Sequence, residues 1–217
     1  MTAWWNAMRL RHTSEPSTNT KIVLSGDSLT AGGTISPSSA MLSNYLPTLA
    51  ASDGVPNITT ANYGYSGENI STWQSTRIDE VLTAAPKLAI LRLGMNDCAT
   101  EDATIISGLT AGIGRMRNAG ASPAGKTIDE MSILLLGPNV AIYAPNSRTV
   151  QRMKDICGIM YSVAESTGCA FFDTANAFPD GADKSGYLDG FLTHPTAHFE
   201  RLIGEALGPV LFLRFGY

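Results

Sequence analysis

Apolar residues fall in short runs separated by longer stretches where they recur at helical spacing. Ile22, Val23 and Leu24 form a β-branched apolar run closed by Ser25-Gly26, the pattern of a buried strand. Further strands are predicted over 57–62, 88–93, 131–136 and 169–172. Between them the spacing predicts helices over 37–51, with Pro37 at the first helical position and a disturbance at Pro47, and over 71–83, 103–118 and 146–167. Gly168 supplies the stop for the last of these. A final helix starts near Pro195 and carries Phe199, Leu202, Ile203, Ala206 and Leu207 on one face. Upstream, Trp4, Trp5, Met8 and Leu10 suit a short amphipathic helix over 2–12. The polar, Pro-containing stretch 13–20 then reads as a linker. The tryptophans pack either on the domain or on an upstream partner. Residues 119–129 read as a surface insertion and 179–193 as a long polar loop.

Strands alternating with helices imply parallel pairing and a three-layer α/β/α sandwich. The organisation is an N-terminal arm and linker, 1–20, followed by one domain, 21–217. A chain of 217 residues, with 44% hydrophobic and 16% charged residues, holds one domain with a full core. The net charge of −4 argues against a nucleic-acid partner. No apolar run approaches the ~20 residues that span a bilayer. Cys98, Cys157 and Cys169 have neither metal-type spacing nor an even count, so no metal site and no disulfide framework is expected. Arg9, Arg11 and His12 interrupt the only N-terminal signal-peptide candidate. The localisation is left open by this pattern, with a cytoplasmic protein or a domain cut from an exported or virion protein as the expectations.

Chemistry concentrates after the first strand. Gly26-Asp27-Ser28-Leu29 lets the backbone turn and leaves Ser28 just past the C-terminal edge of the sheet, where open α/β folds bind ligands. A serine hydroxyl needs a base to attack a carbonyl, and the chain has three histidines. His12 lies in the arm. His198 falls one turn into the last helix, where it caps or packs. His194 ends a loop and is the candidate base. Gly64-Tyr65-Ser66-Gly67 is followed by Glu68, so the Gly-x-Ser-x-Gly elbow fails, and Gly108, Gly112 and Gly114 miss the dinucleotide fingerprint. With no phosphate-cradling Gly-Lys-Ser/Thr loop, no cofactor is expected.

Four blocks in order, Gly26-Asp27-Ser28-Leu29, Asn62 to Gly67, Gly94-Met95-Asn96-Asp97 and Asp189 to Pro195, resemble those of the SGNH (GDSL-type) hydrolases. The resemblance spans residue 21 to about residue 205. It implies a flavodoxin-like five-stranded parallel sheet in the order 2-1-3-4-5. It also implies a serine nucleophile at Ser28, a base at His194, and an oxyanion hole from the amides of Ser28 and Gly67 and the side chain of Asn96. The family pattern Asp-x-x-His puts an aspartate at position 191, where this chain has Phe191. The nearest acid is Asp189, five residues before His194. Asp183, Asp180 or a backbone carbonyl near Phe191 are the alternatives, the last leaving a Ser-His dyad.

The expected function is a serine esterase acting through an acyl-enzyme, most naturally on O-acetyl groups of a carbohydrate. Tyr63, Tyr65, Asn69 and Trp73 are placed to face a sugar, and no long apolar lid suits a triglyceride. A thioesterase or lysophospholipase with the same triad, and a non-catalytic glycan-binding module, are the alternatives. The partner is a small-molecule or polysaccharide ester. The Trp-rich arm and linker resemble those of phage tail-fibre or multidomain carbohydrate esterases.

Overall fold

In the computed structural model, five strands form one parallel sheet in the order β2-β1-β3-β4-β5. The strands are β1 (Thr20–Gly26), β2 (Ile58–Gly64), β3 (Leu88–Arg92), β4 (Ser132–Leu136) and β5 (Ala170–Phe172). The structure describes residues 1–13, 19–118, 125–127, 130–140, 149–177, 186–188 and 193–212, with the side chains of Thr2 and 9–13 excepted. Most of the expected insertion at 119–129 and of the polar loop at 179–193 therefore lies outside the described residues. Each expected strand is found, shifted by a residue or two at its ends. The strand order reverses between β1 and β3, so the C-terminal edge opens into a crevice there.

The two faces of the sheet follow strand parity. Val23, Ala89, Leu91, Ile133 and Leu135 point to a core closed by α4 (Ile70–Thr76), α5 (Ile78–Ala84), α6 (Asp102–Arg117) and α7 (Val150–Thr167). Ile22, Leu24, Leu88, Ile90, Leu134 and Leu136 point the other way, to α1 (Thr2–Thr13), α3 (Leu42–Ser52) and α8 (Ala197–Phe212). The N-terminal helix thus joins a core of this chain. Trp4 is fully buried, donates its indole N–H to the Leu211 carbonyl at 2.9 Å, and meets Phe212 edge-on.

Several helices differ from expectation. The helix expected over 37–51 begins only at Leu42, after a 3₁₀ turn at Ser38–Ala40, and Pro47 lies inside it. The single helix expected over 71–83 is two, meeting at Arg77. The Arg77 guanidinium lies 3.5 Å from the centre of the Tyr65 ring and pairs with Glu68 and Glu80. α8 starts at Ala197 rather than at Pro195. Pro195 bridges Leu188, and the Thr196 hydroxyl accepts from the Phe199 N–H at 3.3 Å, an N-cap contact. Leu202 and Ala206 face outward, because the buried stripe of α8 runs through Phe199, Glu200, Ile203, Gly204 and Leu207.

Candidate active site

Ser28 opens a one-turn helix, α2 (Ser28–Ala31), directly off the end of β1. Asp27 caps it: one carboxylate oxygen accepts from the Leu29 N–H at 2.9 Å. The approach is tight. A Cβ on Gly26 would collide with the Arg92 carbonyl, and one on Gly64 with the backbone of Ala31. Only glycine lets β1, β2 and β3 converge this closely beneath Ser28.

His194 arrives from far along the chain, and its Nε2 lies 3.0 Å from Ser28 Oγ. The segment is held on both sides. The Asn139 side-chain amide, just past β4, donates to the Thr193 carbonyl at 3.0 Å, and the Thr196 N–H donates to the Tyr187 carbonyl at 2.8 Å. Ser28 and His194 share a cleft of about 120 Å³ with Ala31, Gly33, Thr34 and Ser66. A serine hydroxyl at hydrogen-bond distance from an imidazole can be deprotonated as it attacks a carbonyl.

The two further blocks are laced to this pair. The second oxygen of Asp27 accepts from the Met95 N–H at 3.2 Å, which ties the Gly94–Asp97 loop to Ser28. Asn96 donates its side-chain amide to the Glu68 carbonyl at 2.8 Å, which ties the same loop to Gly67. Asp97 accepts from the Ile70 N–H at the start of α4. Gly67 holds φ at +80°, a conformation that favours glycine, and the space where a Cβ would stand is open. The backbone N–H groups of Ser28 and Gly67 donate to none of the described residues.

The acids beneath the site are buried, and burial raises both. Asp27 is pushed up to about 7 by loss of solvent, against the pull of the Leu29 and Met95 amides and of Arg92. Asp97 is pushed up to about 6 for the same reason, opposed by the Ile70 amide and Arg152. Arg152, from α7, donates to the carbonyls of Cys98 and Thr100 and pairs with Asp102 at 2.6 Å, clamping the loop that follows Asn96.

A family model described as the GDSL-like lipase/acylhydrolase family matches residues 24–202. The chain belongs to that family. Ester hydrolysis is the chemistry that membership assigns to it. No curated protein sequence matches the chain. Solved structures of similar fold include the lipase/acylhydrolase from Enterococcus faecalis, with TM-score 0.73 and 22% identity, covering 89% of this chain and 95% of that one. LAE5, an alpha/beta hydrolase enzyme from the metagenome of Lake Arreo, has TM-score 0.69 and 18% identity, covering 90% and 97%. Axe2, an acetylxylan esterase from Geobacillus stearothermophilus, has TM-score 0.70 and 17% identity, covering 94% and 99%.

Against the sequence expectations, the structure brings Ser28 and His194 together and cross-links the loops of Gly67 and Asn96. Asp189, like Asp180, Asp183 and Phe191, lies outside the described residues. His198 is exposed and packs on the Tyr187 ring at 5.6 Å. One member of the sugar-facing set, Trp73, needs correction. Trp73 is fully buried and donates to Ser25 Oγ at 3.0 Å, because the sheet face beneath α4 needs a large filler with a satisfied N–H. Asn69 caps α4 with its side-chain oxygen through the Thr72 N–H, and the Tyr65 hydroxyl donates to Glu80 at 2.7 Å, while both residues stay partly exposed. Sequence reasoning also missed Asn139, Arg152, Arg92 and Glu200. Arg92 is visible as a charge inside an apolar strand run, and Glu200 as an acid on an apolar helical stripe.

No helix among the described residues is long and apolar enough to cross a membrane.

Proposed function

We propose that this GDSL hydrolase is a serine esterase that removes short acyl groups, with O-acetyl groups on a carbohydrate as the substrate class. The observation that carries the reading is the 3.0 Å separation of Ser28 Oγ and His194 Nε2 at the cleft. Ser28 Oγ attacks the ester carbonyl while His194 Nε2 takes its proton. The negative oxygen of the tetrahedral intermediate accepts from the amides of Ser28 and Gly67 and from the Asn96 side chain. Collapse breaks the C–O bond of the ester, and the leaving alkoxide takes the proton from His194. Water, deprotonated by His194, then attacks the acyl-enzyme and frees Ser28. For Nε2 to accept, the neutral ring carries its proton on Nδ1. Asp189 is the proposed acid that holds that tautomer.

The size of the cleft supports a short acyl group. About 120 Å³ lined by Ala31, Gly33 and Thr34 suits an acetyl and is well below the roughly 300 Å³ at which pockets for larger ligands begin. The similarity to Axe2, described as an acetylxylan esterase, supports a carbohydrate as the alcohol. The test is acetate release from a panel of acetylated polysaccharides, with p-nitrophenyl acetate and decanoate alongside. Preference for decanoate would point to a lysophospholipase or thioesterase, and inactivity on every ester to a binding module.

A further inference from the structure

A buried ion pair lies beneath the candidate nucleophile and reaches across the site. Arg92 ends β3 and is 1% exposed. One terminal nitrogen, Nη1, donates to acceptors on two elements: the Leu29 carbonyl in α2 at 3.1 Å and Glu200 Oε1 in α8 at 2.6 Å. Glu200 is equally buried, and its other oxygen accepts from the Leu42 N–H at the start of α3 at 3.0 Å. The Arg92 carbonyl accepts from the Asp27 N–H and from the Thr30 hydroxyl, each at 3.2 Å. Arg92 therefore holds Asp27, Leu29 and Thr30, which surround Ser28. Through Glu200 it holds the helix that begins just past His194.

Stability is a poor reason to keep such a pair. Taking two charges out of water is costly, and an apolar pair of the same size is often as good or better. The fork is also underused, since Nε and Nη2 of Arg92 donate to none of the described residues. What an apolar pair lacks is direction. Two hydrogens on one planar nitrogen fix the Leu29 carbonyl and the Glu200 carboxylate relative to each other.

We propose that Arg92 and Glu200 are positioning residues that hold α2 and α8, and with them Ser28 and His194, at reacting distance. The inference rests on the proposed Ser28–His194 pair.

The test is the double variant Arg92→Met/Glu200→Leu in the full chain, assayed on p-nitrophenyl acetate. The unfolding midpoint should equal or exceed that of the wild type. KM should stay within about threefold while kcat falls about 10- to 100-fold, since a displacement near 1 Å can cost ~10². Labelling by a fluorophosphonate should slow by a similar factor. A pair that only stabilises would shift the midpoint and spare kcat, so a stable double variant with wild-type kcat overturns the proposal. If the double variant does not fold, Arg92→Met, which removes both bonds of Nη1, is read well below its own midpoint. Lowered kcat at unchanged KM supports the bridge, and unchanged kcat overturns it. Ser28→Ala separates the two readings. An active Ser28→Ala enzyme breaks the proposed nucleophile, whereas an inactive one beside a fully active double variant breaks the bridge alone.

Discussion

At the serine end of the cleft, the helix cap is local. Asp27 caps the turn that carries Ser28 through Leu29, and Gly26 sets the close approach. At the histidine end, the anchors of the segment also lie far along the chain. His194 follows a residue held by Asn139, 54 positions earlier, and precedes a helix held by Arg92, 108 positions before Glu200. A nucleophile exposed on a tight turn can be marked by a few residues, because the turn carries its own cap. A base must be delivered to a point in space, and that takes distant anchors. The site is thus half motif and half tertiary placement.

The sharpest break in this comparison is at its centre. Ser28→Ala should lower kcat by ~10⁴ or more while leaving the unfolding midpoint close to wild type, and His194→Ala should match it. A fluorophosphonate should mark Ser28. A label on Ser66, which lines the same cleft, would move the nucleophile to the other wall.

Next in size is the proposed acid. Asp189→Asn should cost ~10³–10⁴ in kcat, because an amide can favour the wrong imidazole tautomer. An enzyme of near wild-type rate would pass the role to Asp183, Asp180 or a backbone carbonyl near Phe191.

Asn96 belongs to the loop that ties the Ser28 turn to the Gly67 loop. Asn96→Ala should lower kcat about 10²–10³-fold, or ~3–4 kcal/mol, with little change in KM. Losing its bond to Glu68 should also lower stability by ~1 kcal/mol. A higher KM as the only change would assign Asn96 to ground-state binding.

The smallest effect reads the buried base of the serine end. The Asp27 carboxyl is raised from 3.8 to about 7, so the folded chain binds its proton more tightly than the unfolded chain does. Its contribution is full below about pH 4 and is lost as pH rises towards 7. Asp97, raised to about 6, acts in the same direction. Asp27→Asn keeps an acceptor for Leu29 and never ionises. Between pH 4 and 8 its stability relative to wild type should therefore improve by about 1–4 kcal/mol. Denaturant midpoints across that range measure it, and a gap independent of pH would remove the charge argument.

The strands were legible because a buried parallel strand must be apolar on both faces, as 22–24, 88–91 and 133–136 are. Gly168 was legible as a helix stop, and it takes the left-handed conformation at the end of α7. Gly-Asp-Ser-Leu was legible because its cap is local: Asp27 accepts from the Leu29 N–H, on the far side of Ser28. Other features could not be read from local sequence. Periodicity marks Trp73 as helical and aromatic but does not say whether its ring meets the sheet or a ligand, and only the packing of α4 puts it inside. The break at Arg77 coincides with contacts to Tyr65, Glu68 and Glu80. Arg92 reads as an oddity within its strand, and Glu200 as an oddity on its helix. Their meaning exists only once β3 and α8 are side by side, because a charge is tolerable in a core only with its partner, and no local pattern names a partner 108 residues away.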